Sequence, residues 1–265
     1  MRHIISLHCL LLLAFSSVTA QSLDTLYIYS SNGDIERIAV SSIDSMTFTA
    51  FTSDIFVDSR EYSDTVTHPI AVDLGLSVKW ASCNIGASSP LELGSFFAWG
   101  EVEEKSTFYP WNYKWYDNSK GYWTKYCPLS EIELVYGVFY PSFYDGKIWL
   151  EPEDDAATVK WGGNWRMPYA EDLKEIYTQC TIKRILLSST NEVVGFKIIG
   201  PNGNSITIPY YKHSLYDMCV YWLNCRGTGD LNDNKGAMHL DEKTRKCWLS
   251  SCARCYGLPI RPVCE

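Results

Sequence analysis

Clear helical periodicity is confined to one segment of this chain, and that limits the fold more than any other pattern. Residues 168–180 place Leu173, Ile176 and Tyr177 on one face at helical spacing, with acidic residues early in the segment. A second, shorter helix is predicted over residues 154–161, where two aspartates lie at the positive N-terminal end. Two short helices leave most of the chain to strands and loops.

Extended segments recur on both sides of these helices. The strongest signal is residues 193–209, where two β-rich runs flank the turn-forming sequence Gly-Pro-Asn-Gly-Asn. Further strands are predicted at 71–76, 78–81, 94–100, 220–223, 236–240 and 258–264. Many strands with two short helices indicate an α+β domain with small antiparallel sheets.

The first twenty residues have the three parts of a cleavable secretory signal peptide. Met1–His3 is a short positive region, residues 10–15 are an apolar core, and Val18 and Ala20 are the small residues that a signal peptidase requires. The alternative, an uncleaved membrane anchor, is disfavoured because the apolar run is shorter than the ~20 residues that span a bilayer. Gln21 at the cut, where a lipidated cysteine would lie, argues against a lipid anchor. We expect an exported protein, in the periplasm, on the outer cell surface or outside the cell.

Composition narrows the classes of partner. The net charge is −8 and no basic stripe is present, so nucleic acid is not an expected partner. No second long apolar stretch occurs, so we expect no transmembrane segment in the mature chain. Nine of the ten cysteines remain once Cys9 leaves with the signal peptide, and an odd number leaves at least one thiol over or paired between chains.

Three regions follow the signal peptide at 1–20. Residues 21–49 are predicted to form a small β-hairpin module around an Asn-Gly turn, and a lone hairpin needs something to dock on or serves as a flexible stalk. Residues 50–69 are polar and are interpreted as a linker. Residues 70–265 form the main domain, with a long aromatic loop that is either functional or packed by its own side chains.

Five segments of the main domain, taken together, resemble one known family. They are VDLGLSVKWASCNIGA at 72–87, FAWGE at 97–101, DDAA to WGGNWRMP at 154–168, GPNGNSI at 200–206 and RPVC at 261–264. The domain resembles the Fibrobacter succinogenes major paralogous domain family, which is abundant in exported proteins of Bacteroidetes. Residues 24–49 also resemble a short N-terminal module of such proteins. The family is largely uncharacterised and supplies no catalytic residues.

This resemblance implies a C-type-lectin-like fold, in which the N- and C-terminal strands pair and long loops form one exposed face. A strand at residues 78–81 would lie beside residues 259–263. Cys83 and Cys264 would then be neighbours and are the first disulfide candidates. Relatives often have a helix-capping Thr where this chain has Tyr169, so the cap of the longer helix must come from elsewhere or be absent.

The sequence predicts no metal or cofactor site, because each candidate pattern has a simpler interpretation. Cys252 and Cys255 have the spacing of half a zinc knuckle, but in an exported protein disulfides or scattered thiols are favoured over zinc. The second half would need Cys219 and Cys225, whose spacing is loose, and Cys247 lies nearby. A copper-binding cysteine pair, as in the distantly related formylglycine-generating enzymes, is disfavoured because their motif is absent.

The sequence also predicts neither a calcium loop nor an enzymatic site. Residues 229–236 resemble a calcium loop but have Lys where the loop requires Gly, so an Asx-rich turn is favoured. Glu101, Glu103 and Glu104 are interpreted as a solvated acidic patch rather than a glycosidase pair. Trp161 and Trp165 are interpreted as core residues, with Arg166 tied to a carboxylate such as Asp155.

The sequence therefore predicts an exported, non-enzymatic binding or adhesion module that presents aromatic loops to a glycan or protein ligand at the cell surface. The alternative is a structural or assembly subunit of a cell-surface complex. The recognition surface is expected in loops 103–150 and 211–256. The candidate ligand contacts are Tyr109, Trp111, Tyr113, Trp115, Trp123, Trp222 and Trp248.

Overall fold

The computed structural model describes most of the main domain and parts of the N-terminal region. The described residues are 25–29, 35–39, 54–57, 70–128, 133–135, 138–140, 143–213, 218–226 and 234–265. The predicted signal peptide, the turn of the N-terminal hairpin and most of the calcium-like segment lie outside them. The chain divides into two units, Met1–Phe51 and Thr52–Glu265.

The first unit contains an antiparallel pair of strands. Strands β1 (Thr25–Tyr29) and β2 (Ile35–Ala39) pair with Thr25 opposite Ala39 and Tyr29 opposite Ile35. Both strands were predicted from their β-rich sequences. The pairing is the hairpin expected within residues 21–49.

The two ends of the main domain meet in a three-stranded sheet. Its order is β16 (Val263–Cys264), β5 (Lys79–Ala81) and β4 (Ala71–Val72). The antiparallel pairing of β5 with β16 agrees with the expected neighbourhood of 78–81 and 259–263.

The expected disulfide between Cys83 and Cys264 is wrong for this register. Cys264 lies opposite Lys79, and Cys83 is four residues further along the chain. That offset corresponds to about 13 Å if the chain stays extended, beyond the ~7 Å between Cα atoms that a disulfide tolerates. Both cysteines are buried free thiols.

A four-stranded sheet holds the best-predicted hairpin. Strands β11 (Val193–Ile199) and β12 (Ser205–Pro209) are antiparallel, with Phe196 opposite Ile208. Strand β10 (Thr181–Leu187), which was not predicted, pairs with β11 on the other side. The sheet order is β12-β11-β10-β3, where β3 is Ile55–Val57.

The outermost strand of this sheet corrects the linker interpretation of residues 50–69. Strand β3 (Ile55–Val57) pairs in parallel with β10. Beside it, Asp54 accepts two hydrogen bonds from the Arg184 guanidinium, one of them Nε–H at 2.9 Å. This bidentate ion pair fixes the segment against the sheet, because a planar guanidinium matches a carboxylate in one orientation.

A third sheet of the main domain lies within residues 211–256, which were predicted to be an exposed loop. Strands β13 (Cys219–Arg226), β14 (Asn234–Leu240) and β15 (Cys247–Ala253) form an antiparallel sheet with β14 in the centre. The predicted strands at 220–223 and 236–240 lie within β13 and β14, whereas β15 was not predicted. The described residues of 211–256 are therefore mostly sheet, where an exposed loop was expected.

Both predicted helices are present, and an aspartate carboxylate accepts backbone N–H groups at the start of each. Helix α1 (Ala156–Trp161) is capped by Asp155, whose Oδ1 accepts the backbone N–H groups of Ala157 and Thr158. Helix α2 (Ala170–Gln179) has Tyr169 at its N-cap, and the Asp172 carboxylate accepts the Tyr169 N–H at 2.7 Å. The cap missing at Tyr169 is thus supplied from inside the helix.

Arg166 has a different carboxylate partner from the one expected. Its guanidinium pairs with Asp172 at 2.7 Å, whereas Asp155 is occupied by backbone N–H groups that include that of Met167. The interaction links the segment before α2 to the first turn of the helix.

The core has two main parts. In one part, Leu173 and Ile176 of α2 pack against the four-stranded sheet and the sheet of β13, β14 and β15. The other part surrounds Trp99 and Trp222. The aromatic loop contains two short antiparallel pairs of strands. They are β6 (Tyr116–Asp117) with β7 (Tyr122–Trp123), and β8 (Glu133–Val135) with β9 (Val138–Tyr140). The domain is thus mixed α+β with few helices and small, mainly antiparallel sheets.

Two of the motifs contact each other directly. Asn202 and Asn204 each donate a side-chain N–H to the backbone carbonyl of Asp73, at 3.0 and 2.8 Å. Gly200 lies so close to Leu74 that a Cβ there would be 2.0 Å from the Leu74 carbonyl oxygen. These residues therefore serve the packing of the hairpin turn against the start of the domain.

No helix among the described segments has the length and apolar character needed to cross a bilayer.

Candidate binding surface

Two exposed aromatic rings form a flat surface in the long loop. The rings of Tyr109 and Trp111 are stacked with centroids 4.4 Å apart and an angle of 7° between their planes. Tyr109 is 46 % exposed and Trp111 is 63 % exposed. We refer to this pair as the aromatic platform. A stacked pair of exposed rings is a candidate contact surface, because aromatic faces bury a large apolar area when a ligand covers them.

Local hydrogen bonds hold the platform in place. Pro110–Asn112 form a 3-10 turn, and Asn112 Oδ1 accepts the Tyr109 N–H at 3.0 Å. Asn112 Nδ2 donates to the carbonyl and hydroxyl oxygens of Thr107 at 3.0 and 3.1 Å. Asn118 Nδ2 donates to the Trp111 carbonyl at 2.9 Å. Both rings are thus carried on a backbone whose polar groups are satisfied locally.

Tyr113, predicted as a ligand contact, is instead buried and anchors the platform. Its hydroxyl donates to the Trp99 carbonyl at 2.6 Å and accepts from Arg254 Nε at 3.1 Å. Burial raises the pKa of Tyr113 well above its ordinary value, although the Arg254 charge opposes this. The side chain therefore joins the loop to the core and is not available to a ligand.

Trp115 is flanked by two cations. The Lys114 and Lys125 ammonium groups lie 4.3 and 4.7 Å from its ring centroid. Its Nε1 donates to the Gly100 carbonyl at 3.3 Å. Because cations and the core occupy its surroundings, Trp115 is a packing residue and not an open stacking face.

A buried aspartate gathers the charges around Trp115. Asp154 pairs with Lys114 at 3.0 Å and with Lys125 at 2.6 Å, and accepts the Tyr126 hydroxyl at 2.7 Å. Burial acts to raise the pKa of Asp154, but these hydrogen bonds outweigh it and hold the pKa below its ordinary value. The ionised aspartate ties two parts of the aromatic loop to the start of α1.

Arg254 and Lys235, both fully buried, clamp the same loop from the third sheet. Arg254 Nη2 donates to the Lys125 carbonyl at 2.7 Å, and Lys235 Nζ donates to the Tyr126 carbonyl at 2.7 Å. Cationic donors make strong hydrogen bonds to carbonyl oxygens in a low-dielectric interior. No sequence pattern identified these residues as supports, since a buried cation has no local signature.

Three further predicted contacts lie elsewhere. Trp123 packs edge-on against Tyr113 at 5.5 Å and at a tilt against Tyr116 at 4.8 Å. Trp222 is completely buried on β13, where its Nε1 donates to the Phe97 carbonyl at 2.7 Å, so its prediction as a ligand contact is wrong. Trp248 lies on β15, beside the ring of His239.

Trp248 lines a separate cleft of 440 Å³ between α2 and β15. The cleft contains no residue of loop 103–150; its lining residues are Tyr177, Cys180, Ile182, Arg245, Lys246, Cys247 and Trp248. The structure therefore does not place Trp248 in one surface with the platform.

Sequence analysis missed a second group of exposed aromatic residues in the loop. Phe143, Tyr144 and Trp149 are exposed, and Trp149 packs edge-on against Tyr169 at 5.3 Å. They lie within the predicted loop 103–150 but were not among its candidate contacts. Only the density of aromatics in that loop could have indicated them.

The three acidic residues at the loop start do not form one patch. Glu101 is buried and pairs with Lys105, and its Oε1 also accepts the Lys114 N–H. Glu104 accepts the Ser95 hydroxyl at 2.6 Å, and Glu103 lies near Lys160. The solvated-patch interpretation is thus wrong for Glu101, whose carboxylate holds the loop.

The cysteines of the zinc alternative do not gather. Within the described segments, no group of three or more His, Cys, Asp and Glu side chains is arranged to hold a metal ion. Trp161 and Trp165, interpreted from the sequence as core residues, are half-buried and pack edge-on against each other at 5.1 Å.

Comparison with known protein families, with characterised proteins and with solved structures finds no match for this chain.

Proposed function

We propose that this protein is an exported, non-enzymatic binding module that contacts a glycan or protein ligand through the aromatic platform. The stacked, exposed pair Tyr109 and Trp111 is the observation that carries the proposal. Its outer faces offer the flat apolar surface on which a sugar ring or an extended peptide stacks.

The support beneath the platform favours binding over accidental exposure. Asn112 and Asn118 hold its backbone, and the buried Tyr113 hydroxyl joins it to Trp99. A surface fixed before the ligand arrives loses little conformational entropy on binding. An unsupported pair of exposed rings would have no such advantage.

The non-enzymatic part of the proposal rests on how the nearby carboxylates are used. Glu101 is engaged by Lys105 and the Lys114 backbone, and Asp154 by two lysines and a tyrosine. General acid–base chemistry needs a carboxyl group within reach of a substrate. These carboxylates instead stabilise the loop that carries the platform.

We also propose that the main domain has a C-type-lectin-like fold and belongs with the Fibrobacter succinogenes major paralogous domains. The pairing of Lys79–Ala81 with Val263–Cys264 supports this, since that fold joins its terminal strands. The contacts of Asn202 and Asn204 with Asp73 link two of the resembling motifs. Export rests on the N-terminal sequence pattern alone.

An array of glycans and candidate protein ligands tests the binding proposal. We expect the exported protein to bind a restricted set of array members, and Trp111→Ala to lose at least tenfold in affinity for them. Binding that is unchanged by this substitution would refute the platform as the contact surface. The absence of any bound member would refute the glycan and protein classes represented.

A structural or assembly role is a second candidate because of the N-terminal unit. Strands β1 and β2 belong to a unit of their own, and a two-stranded hairpin is marginal without a partner. Deletion of residues 24–49 would then abolish incorporation into a surface complex while leaving array binding intact. Loss of array binding with retained assembly would count against this role.

A further inference from the structure

We propose that Cys180 and Cys247 form a disulfide that ties the end of α2 to the start of β15. Cys180 follows the last residue of α2, and Cys247 is the first residue of β15. Both line the same 440 Å³ cleft, Cys180 half-buried and Cys247 buried, and both are free thiols in this structure, so the proposed bond is an oxidation of the state described. This proposal concerns stability and is independent of the aromatic platform.

The elements that carry the two thiols pack against each other. Leu173 and Ile176 of α2 share a core cluster with Cys247, and Cys180 packs against that cluster. Cys180 N–H donates to the Ile176 carbonyl at 3.1 Å, which fixes the residue to the helix end. The pairing would therefore join two segments that are already in contact.

The turn before Cys247 also has little freedom. Asp241 Oδ1 accepts the N–H groups of Lys243 and Thr244 at 2.7 and 2.9 Å, and the Asp241 N–H donates to the Lys246 carbonyl at 3.0 Å. Because these hydrogen bonds fix the turn at residues 241–246, Cys247 lies in a defined position at the cleft.

Sheet register excludes Cys219 and Cys252 as partners of Cys247. Cys219 and Cys247 both lie opposite Leu240 from either side of β14, so their Cα atoms are about 10 Å apart, too far for a disulfide. Cys252 lies on the same strand as Cys247, about 17 Å along it. Cys264 lies opposite Lys79 in a different sheet.

Formation of the bond is a two-electron oxidation. The two thiols lose two protons and two electrons as the S–S bond forms, and a disulfide oxidant such as oxidised glutathione is reduced to two thiols. Burial raises the pKa of Cys180 to about 11, with Glu175 adding to the rise. Thiolates are the reactive species, so the bond forms during folding and resists exchange afterwards.

Peptide mapping tests the pairing directly. The full chain is refolded in reduced and oxidised glutathione, alkylated in denaturant without reductant, and digested with trypsin and chymotrypsin. Chymotrypsin is needed because trypsin leaves Cys247 and Cys252 in one peptide, residues 247–254. We expect a cross-linked peptide pair that contains Cys180 and Cys247. Alkylated Cys180, or Cys180 joined to another cysteine, would overturn the proposal.

Thermal unfolding supplies the second readout. We expect reductant to lower the melting temperature of the wild type by roughly 5–15 °C and to leave Cys180→Ser unaffected. Cys180 is half-buried, so its serine variant folds more readily than a variant of buried Cys247. Cys264→Ser, at a buried cysteine in a different sheet, is the control; once its unfolding curve shows that it folds, it should keep the reductant effect. Equal sensitivity of Cys180→Ser and wild type would contradict the pairing.

Discussion

Asn112 accepts the backbone N–H of Tyr109 on its side-chain oxygen at 3.0 Å, and this contact spans the turn that carries Trp111. The same amide donates to Thr107, so one side chain satisfies both sides of the turn. Asn112 is therefore one of the main polar supports of the aromatic platform, beside Asn118.

Asn112→Ala is expected to loosen the platform. The substitution removes three hydrogen bonds and should lower the free energy of unfolding by about 1–2 kcal/mol. Hydrogen exchange followed by mass spectrometry should show faster exchange across residues 107–113. Asn204→Ala, in the hairpin turn of the second sheet, is the control and should leave that segment unchanged. Unaltered exchange in Asn112→Ala would contradict this role.

Arg254→Met is expected to lower the free energy of unfolding by about 3 kcal/mol. The substitution leaves the Lys125 carbonyl and the Tyr113 hydroxyl without their buried cationic partner. Urea unfolding measures the change. Arg245→Met removes a partly exposed ion pair with Asp54 and should cost less than about 1 kcal/mol. Equal losses in the two variants would show that the clamp contributes nothing beyond surface charge.

Stability should fall between pH 7 and pH 5 because of His239. Burial, with a smaller contribution from the charge of His213, lowers the pKa of His239 from 6.5 to about 4. In this range the unfolded state binds a proton that the folded state does not, so the free energy of unfolding falls as the pH falls. The expected loss is about 2 kcal/mol between pH 7 and pH 5.

His239→Gln should remove most of that pH dependence. Urea unfolding at pH 5, 6 and 7 compares the variant with wild type. Burial also lowers the pKa of His213, so a smaller residual slope of the same sign is expected. A wild-type slope of the opposite sign, or one unchanged in the variant, would contradict the buried neutral imidazole.

Gly200→Ala is expected to destabilise the domain by about 3 kcal/mol. The new Cβ would lie 2.0 Å from the Leu74 carbonyl oxygen. Because the Cβ and that oxygen are both fixed to the backbone, neither can move aside as a flexible side chain would. Gly203→Ala is the matched control. Its Cβ would meet nothing within 4 Å, and the positive φ of 88° should cost only about 1 kcal/mol. Equal losses would show that the contact with Leu74 is unimportant.

Local patterns predicted the elements whose signals are complete within a few residues. The hairpin at 193–209 has β-rich strands around a Gly-Pro-Asn-Gly-Asn turn, and α2 shows its buried face through Leu173 and Ile176. Strands β3, β10 and β15 escaped prediction. Their sequences are short, follow a helix directly or contain cysteines, and they are stabilised by neighbours distant in the chain.

The candidate site was predicted only in part, because local sequence patterns do not show which residues tertiary packing buries. Aromatic density identified the loop and included Tyr109 and Trp111, but it also included Trp222, which the core encloses. Exposure depends on tertiary packing, which a list of aromatic residues does not contain. The buried cations Arg254 and Lys235 could be recognised as supports only from the contacts they make across the sheet.

The most direct test of the central claim is the binding of an array of glycans and protein ligands by a double variant, Tyr109→Ala with Trp111→Ala. The control is Tyr177→Ala, which removes a ring that is 44 % exposed on a different surface. Both proteins are first matched to wild type by their unfolding curves. The account predicts that the double variant loses wild-type binding and that Tyr177→Ala retains it. Retained binding by the double variant would contradict the account.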